Sequence, residues 1–367
     1  LALTVMEVRR ICLEIGLAAV ELPSVANVVD ALDPEGTRVA HFYVYDAYSP
    51  ALKDLRAKLK QARKEEADNV AELFAACSDE ETRIRIRLSA ELQPYAPALT
   101  AGLKDLGRLD MLIARARLVK KLSLTRPQIA EAGISYTALR NPQIAEALKQ
   151  SKREFQPVDI SAAEGVTVIT GANMGGKSVA MKTVALNVLL LQAGFLVCAK
   201  KAKMPLFSSV KMLFDDLQSI QSGLSGFGSE IVQFQKALSE VEQGYSLFLL
   251  DEFARGTNPD EGAVIVQAVT RYLNGVDAIS LLTTHYDKVA EYARTHYQII
   301  GLRDIDPEAI RRELAVTSED GVAVIARHMN YGLYRVEGKS DCPRDALNIC
   351  RMLSLKPEIL KMVEESY

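Results

Sequence analysis

The sequence predicts an α/β domain preceded by an all-α region, and two changes of pattern along the chain carry that prediction. Up to about residue 150, apolar side chains recur at helical spacing. Leu52, Leu55, Leu59 and Ala62 form one stripe; Leu99, Leu103, Leu106, Leu109 and Ile113 form another. From about 155 to 300, short β-branched and apolar runs at 166–170, 245–250 and 278–283 alternate with longer helical stretches. Helices cover both faces of a parallel sheet, so its strands read as unbroken apolar runs rather than alternating ones.

Taken in order, the first region is punctuated at Pro23, at Pro34-Glu35-Gly36, at Ser49-Pro50 and between Pro94 and Pro97. A short strand or hairpin is expected at about 37–45. Beyond Gln298, the apolar runs 322–325 and 331–336 are expected to extend the sheet, and 342–367 reads as two short helices split at Leu355-Lys356-Pro357. The expected organisation is a helical core or lever domain at 1–150, an α/β domain at 151–338 and a C-terminal helical segment at 339–367.

Composition narrows the class. With 367 residues, 49% hydrophobic and 25% charged, the chain can bury a full globular core in more than one unit. No apolar run approaches the roughly 20 residues of a membrane span. No secretory signal is visible, so a cytoplasmic chain without a membrane partner is expected. The chain opens on Leu1 rather than Met, as a processed chain or a piece of a longer one would. Its five cysteines are scattered without a CxxC pair, which favours reduced thiols over disulfides or zinc. The formal charge of −3 gives no bulk electrostatic support for nucleic-acid binding. The basic stretches at 53–64 and 83–87 lie beside acidic residues and read as solvated helix faces.

Chemistry enters at Gly171-Ala-Asn-Met-Gly-Gly-Lys-Ser178, which fits G-x-x-x-x-G-K-[ST] between an apolar strand and a helix carrying Met181, Val184, Val188 and Leu191. Gly171, Gly175 and Gly176 allow a tight turn that points backbone N–H groups at phosphate oxygens, and the helix N-terminus adds partial positive charge. In this setting Lys177 reaches the β- and γ-phosphates, and the Ser178 hydroxyl ligates Mg²⁺. The run Ser246-Leu-Phe-Leu-Leu ends in Asp251 and Glu252. Strand ends at the carboxyl edge of a parallel sheet face the ligand crevice. Asp251 is therefore the candidate Mg²⁺ partner, and Glu252 the group that orients or deprotonates the attacking water. The next strand ends at Thr283-Thr284-His285-Tyr286, where His285 can sense the γ-phosphate or the water. Lys177, Glu252 and His285 are the candidate catalytic residues. A P-loop ATPase using ATP and Mg²⁺ is the reading these residues support.

These same residues resemble the MutS family. Its phosphate loop carries the Asn-Met-Gly-Gly core seen here as Asn173, Met174, Gly175 and Gly176, after Ala172. Asp251-Glu-Phe-Ala-Arg-Gly-Thr257 resembles its extended acidic motif, and Thr284-His285-Tyr286 its histidine motif. Asp215-Asp-Leu-Gln-Ser-Ile220 with Leu224-Ser-Gly-Phe-Gly-Ser-Glu230 resembles its signature segment. Asp46-Ala-Tyr-Ser-Pro-Ala-Leu52, followed by Arg56, looks like the core helices of the branch that does not serve mismatch repair. Leu106-Gly-Arg-Leu-Asp-Met-Leu112, Arg126-Pro127 and Ala346-Leu-Asn-Ile-Cys-Arg-Met-Leu-Ser-Leu355 resemble flanking family helices.

The resemblance implies an ABC-type head in which two copies, as a homodimer or heterodimer, sandwich two ATPs. Phe155 would stack on adenine, Asn173 would serve the loop, and 255–257 would cross the interface. Ser225 and Gly228 would reach the γ-phosphate held by the other subunit, although Ser225-Gly226-Phe227 departs from the usual Ser-Thr-Phe. The sequence shows no stretch like the family's mismatch-reading or nuclease domains. A helical pair built from 63–97 would extend at most roughly 25 Å, short for a DNA-encircling clamp. Two roles are implied for the ATP cycle: engagement of DNA structures, or remodelling of a protein client such as a cobalamin-dependent aminomutase.

Overall fold

The computed structural model describes residues 1–39, 41–171, 176–214, 226–303, 305–316, 321–337, 345–353 and 355–366. The chain divides into two compact units, Leu1–Arg117 and Leu118–Tyr367. The first is helical and the second is a mixed α/β sheet unit. Among the described residues, no helix is long and apolar enough to cross a membrane.

The helical unit contains α1 (Ala2–Glu14), α2 (Ala26–Leu32), α3 (Pro50–Lys64), α4 (Val70–Leu92) and the larger part of α5 (Ala96–Leu122). Val5, Val20, Leu22, Val25, Val28 and Leu109 form its main core. Gly102 lets α5 approach α1, because a Cβ there would lie 3.0 Å from a Val5 methyl. The start of α3 is set by Ser49, whose hydroxyl accepts from the Leu52 amide at 3.3 Å, and by Pro50 in the first turn. Leu52, Ile84 and Leu88 then pack α3 on α4. Beside them, the Arg56 guanidinium donates to the Val44 carbonyl at 2.8 Å, to Asp46 at 2.6 Å and to Glu81 at 2.7 Å. One side chain thus ties the 44–46 turn to both helices.

The second unit holds β1 (Gln128–Ile129), β2 (Ile134–Leu139), α6 (Pro142–Gln150), β3 (Val158–Ala162), β4 (Gly165–Thr170), α7 (Lys177–Gln192), β5 (Lys201–Met204) and β6 (Ser209–Leu213). It continues with α8 (Gly226–Val241), β7 (Ser246–Asp251), α9 (Pro259–Leu273), β8 (Ala278–Thr283), β9 (Thr295–Gly301), α10 (Pro307–Val316), α11 (Gly321–His328), β10 (Asn330–Arg335), α12 (Asp345–Met352) and α13 (Pro357–Ser366). The larger sheet has the order β10-β9-β4-β8-β7-β6, parallel except for β10, which runs antiparallel to β9. A smaller sheet, β1-β5-β2-β3, is mostly antiparallel.

The unbroken apolar runs of β4, β7 and β8 are explained by burial on both faces. Ile169, Leu247, Leu249 and Ile279 pack with Met181, Val184 and Val188 of α7. Val166, Val168, Phe248 and Leu250 pack on the other side with Phe234 of α8 and Val266 and Leu273 of α9. The carboxyl ends of these three strands, Thr170, Asp251 and Thr283, therefore come together at one edge of the sheet.

Four expectations are corrected. The break between units falls at 117 rather than 150, because β1 and β2 pair with β5 and β3. Among the described residues of 37–45 there is no strand; the Asp33 carboxylate instead holds a turn by accepting from the Thr37 and Arg38 amides. The run at 322–325 lies in α11, with Val324 and Ile325 buried against Ile310 and Met352. The stretch 63–97 is not a helical pair but mainly one helix, α4, whose 23 residues span about 34 Å at 1.5 Å each. The strand expected at 331–336 is β10, and the helices expected on either side of Pro357 are α12 and α13.

Candidate functional site

The glycine-rich loop leaves β4 through Gly171, whose φ of +141° is open to glycine and whose Cβ would lie 2.9 Å from Ile299. It enters α7 through Gly176, left-handed at φ +86° and without a side-chain cap for the helix. Gly176 itself brings no side-chain acceptor to the first turn of α7, and a helix N-terminus of this kind suits an anion. Lys177 is buried, with Nζ donating to the Gly171 carbonyl at 2.7 Å and standing 3.4 Å from Glu252 Oε1. Ser178 Oγ donates to Asp251 Oδ1 at 2.8 Å. Ala172, Asn173, Met174, Gly175 and Ser225 lie outside the described residues. Gly228 stands in the first turn of α8.

Register explains how the carboxylates are aimed. Asp251 pairs with Thr283 across β7 and β8. The Thr283 hydroxyl donates to Asp251 Oδ1 at 2.6 Å and accepts from the Glu252 amide at 3.0 Å. Thr283 is therefore the hinge between the two acidic residues, a role hidden in a sequence where it looks like one more β-branched strand residue. Past it the backbone turns sharply: Glu252 has φ +49° and Ala254 φ +63°. Left-handed backbone at non-glycine residues costs about 1–3 kcal/mol each and persists only where the surroundings hold it. Asn258 and Pro259 end the turn by capping α9, with Asn258 Oδ1 accepting from the Asp260 amide at 2.9 Å.

Two cations face Glu252. Lys177 approaches one carboxylate oxygen, and Arg255 lies 3.1 Å from the other. His285 sits at the solvent edge of the same cluster, its ring 4.6 Å from that of Tyr286. Partial burial lowers its pKa below the ordinary 6.5; Lys177 and Arg255 push the same way and Glu252 opposes them. The imidazole is therefore neutral near pH 7, able both to donate and to accept.

Phe155 lines an apolar cavity of about 210 Å³ with Ile144, Leu148, Val179, Ala180 and Tyr331. Gly176 also borders it, and a Cβ there would lie 3.0 Å from the Tyr331 ring. Gln156 fastens the Phe155 segment to β10, donating to Asn330 at 2.6 Å and accepting from the Tyr331 amide at 2.8 Å. A second cavity of about 310 Å³, lined by Phe214, Ser229, Glu230, Gln233, Asp251, Glu252 and Arg255, opens on the carboxylate side. Tyr331 and Gln156 have no site role in the sequence reading, because each joins the site only through contacts far along the chain, and Glu230 stands there only as the last residue of the signature segment.

The model of MutS domain V matches residues 167–353, which is half of the chain. The chain belongs to the MutS family. Endonuclease MutS2 of Enterococcus faecalis (strain ATCC 700802 / V583) is 36% identical over 216 residues, covering 58% of this chain and 27% of that protein. Endonuclease MutS2 of Pelotomaculum thermopropionicum is 34% identical over 239 residues, covering 64% and 29%. The DNA mismatch repair protein MutS of Shouchella clausii is 28% identical over 291 residues, covering 79% and 32%. The matched part thus spans about a third or less of these curated relatives' own length.

Proposed function

We propose that this MutS-family chain binds ATP and Mg²⁺ and hydrolyses the phosphoanhydride bond between the β- and γ-phosphates, with water as the nucleophile and ADP as the leaving group. The observation that carries the reading is the convergence of Lys177 and Ser178, from the first turn after a glycine-rich loop, on Asp251 and Glu252. The donor set suits Mg²⁺, since the Ser178 hydroxyl and the Asp251 carboxylate are hard oxygen ligands already placed side by side. When bound, Mg²⁺ supplies positive charge against which the phosphate oxygens are neutralised.

The protein's own groups do the rest. The apolar cavity between Phe155 and Tyr331 accepts a base by stacking and desolvation. The Lys177 ammonium, held near the site by a neutral carbonyl and one carboxylate oxygen, exchanges those partners for phosphate oxygens. Glu252 then faces the attacking water as base, and neutral His285 steadies that water or the γ-phosphate by hydrogen bonding. Under the same reading the site is completed by a second ATPase head through Ser225 and Gly228. The names of the relatives, an endonuclease and a mismatch repair protein, favour DNA engagement over a protein client as the work coupled to turnover.

The decisive experiment compares nucleotide retention with phosphate release. Glu252→Gln should hold ATP with Mg²⁺ as tightly as the parent while its turnover falls about a hundredfold or more. Equal turnover in the two removes Glu252 from the base role. A parent chain that retains no nucleotide removes the reading altogether. Coupling to DNA is checked by measuring affinity for branched, mismatched and plain duplex at low and high salt, with and without ATP, because phosphate contacts weaken steeply with salt.

A further inference from the structure

The turn that aims Glu252 needs an explanation of its own. Ala254 is fully buried and left-handed at φ +63°, so both of its backbone polar groups need partners away from water. Its carbonyl accepts from the Tyr286 hydroxyl at 2.9 Å, and its amide donates to Glu230 Oε1 at 3.1 Å. Tyr286 belongs to the strand end that carries His285. Glu230 belongs to α8, which also packs Phe234 against Phe253 of the same turn. Gly262 makes room for the Tyr286 contact, since a Cβ there would lie 2.4 Å from its hydroxyl. The same first turns of α8 touch the loop once more at Gly256, whose Cβ would be 3.4 Å from the Phe227 nitrogen.

We infer that Glu230 is a positioning residue that links α8 to the hydrolytic carboxylate, by accepting the Ala254 amide and so holding the left-handed turn on which Glu252 stands. The inference rests on the ATPase reading and extends it to a residue to which that reading gives no contact with phosphate or water. Glu230 opens toward the same cavity as Asp251, Glu252 and Arg255. It acts as an acceptor, and the role requires an oxygen rather than a charge. Because α8 begins at Gly226 and includes Gly228, a displacement of its first turn is transmitted through Glu230 to the Ala254 peptide. The carboxylate then leaves the position where Lys177 and Arg255 flank it. Under the ATPase reading Glu230 bears on the Glu252 turn rather than on the nucleotide, so nucleotide affinity should be spared when the link is cut.

The test uses the full chain with Glu230→Ala and Glu230→Gln. Glutamine keeps a carbonyl oxygen for the Ala254 amide; alanine leaves a buried N–H without an acceptor. Glu230→Ala should lower kcat about tenfold or more with KM within about threefold of the parent, and Glu230→Gln should restore most of the loss. Amide exchange of the 252–256 segment, followed without nucleotide, should quicken in Glu230→Ala and stay near the parent in Glu230→Gln. Equal kcat in parent and alanine variant overturns the proposal. So does a glutamine variant as impaired as alanine, which would assign the effect to charge. Should the parent itself neither retain nor hydrolyse ATP, the functional reading fails. Amide exchange then still decides the structural link, and unchanged exchange in Glu230→Ala rejects it.

Discussion

The two units each contain a knot of charge, and the knots are built on opposite terms. In the helical unit, Arg56 is answered by a carbonyl, by Asp46 and by Glu81, and α3 beside it starts from an ordinary Ser-Pro cap. In the α/β unit, Lys177 is more deeply buried, faces a carboxylate at 3.4 Å, and that carboxylate stands on a turn with two left-handed non-glycine residues. The first arrangement satisfies its charges in place. The second holds a cation and a carboxylate in an arrangement that an incoming polyanion can rearrange. A cluster of ion pairs is thus a support where the backbone is relaxed and a site where the backbone is strained.

The largest effect should come from removing the cation of the strained knot. Lys177→Met should weaken ATP retention about a hundredfold, the loss of charge-assisted contacts to phosphate. It should leave the melting temperature of the nucleotide-free chain unchanged or higher, because Glu252 keeps Arg255 and a buried ammonium is no longer desolvated. A variant that loses both stability and retention would make Lys177 a support like Arg56 and break the comparison.

Next in size is the relaxed knot. Arg56→Ala should destabilise the chain by about 2 kcal/mol in chemical denaturation, since several hydrogen bonds to charged or buried groups go at once. ATP retention at a temperature where the variant is folded should be unchanged. Reduced retention by fully folded protein would show that Arg56 does more than hold α3, α4 and the 44–46 turn together.

The contrast also explains what could be read from sequence. The strands β4, β7 and β8 were legible because burial on both faces leaves them continuously apolar; of the glycine-rich loop, residues 172–175 lie outside the described residues. The carboxylates were placed correctly at the end of β7, since a strand end is a local property. The run 322–325 was read as a strand and is helical; four apolar residues fit either period, and only packing against Ile310 and Met352 decides. β1 and β2 were missed because their partners are β5 and β3, so their pairing is not written within their own residues. Glu230, Thr283 and Tyr331 share that reason: each gains its role from a turn or a ring brought to it by the fold.

The smallest effect separates two histidines. His285 is exposed at the site's edge, whereas His296 is 8% exposed, with Nε2 2.8 Å from the Thr170 hydroxyl at the end of β4. Burial lowers the pKa of each below 6.5, and nearby Lys177 and Arg255 add to the effect at His285. A group with a depressed native pKa binds fewer protons in the folded state than in the unfolded one. Its contribution to stability is therefore intact above the unfolded value and is lost as pH falls through it toward the native one. His296 is buried and His285 exposed, so the acid loss of stability as pH falls below about 6.5 should belong mainly to His296. His296→Asn should flatten the acid-side dependence of melting temperature on pH by a few degrees, while His285→Ala should flatten it less. Turnover should show the reverse, with an acid limb that His285→Ala abolishes and His296→Asn preserves. If both profiles follow His296, the water or γ-phosphate contact assigned to His285 is wrong, and the strained knot owes its pH dependence to the strand beside the loop.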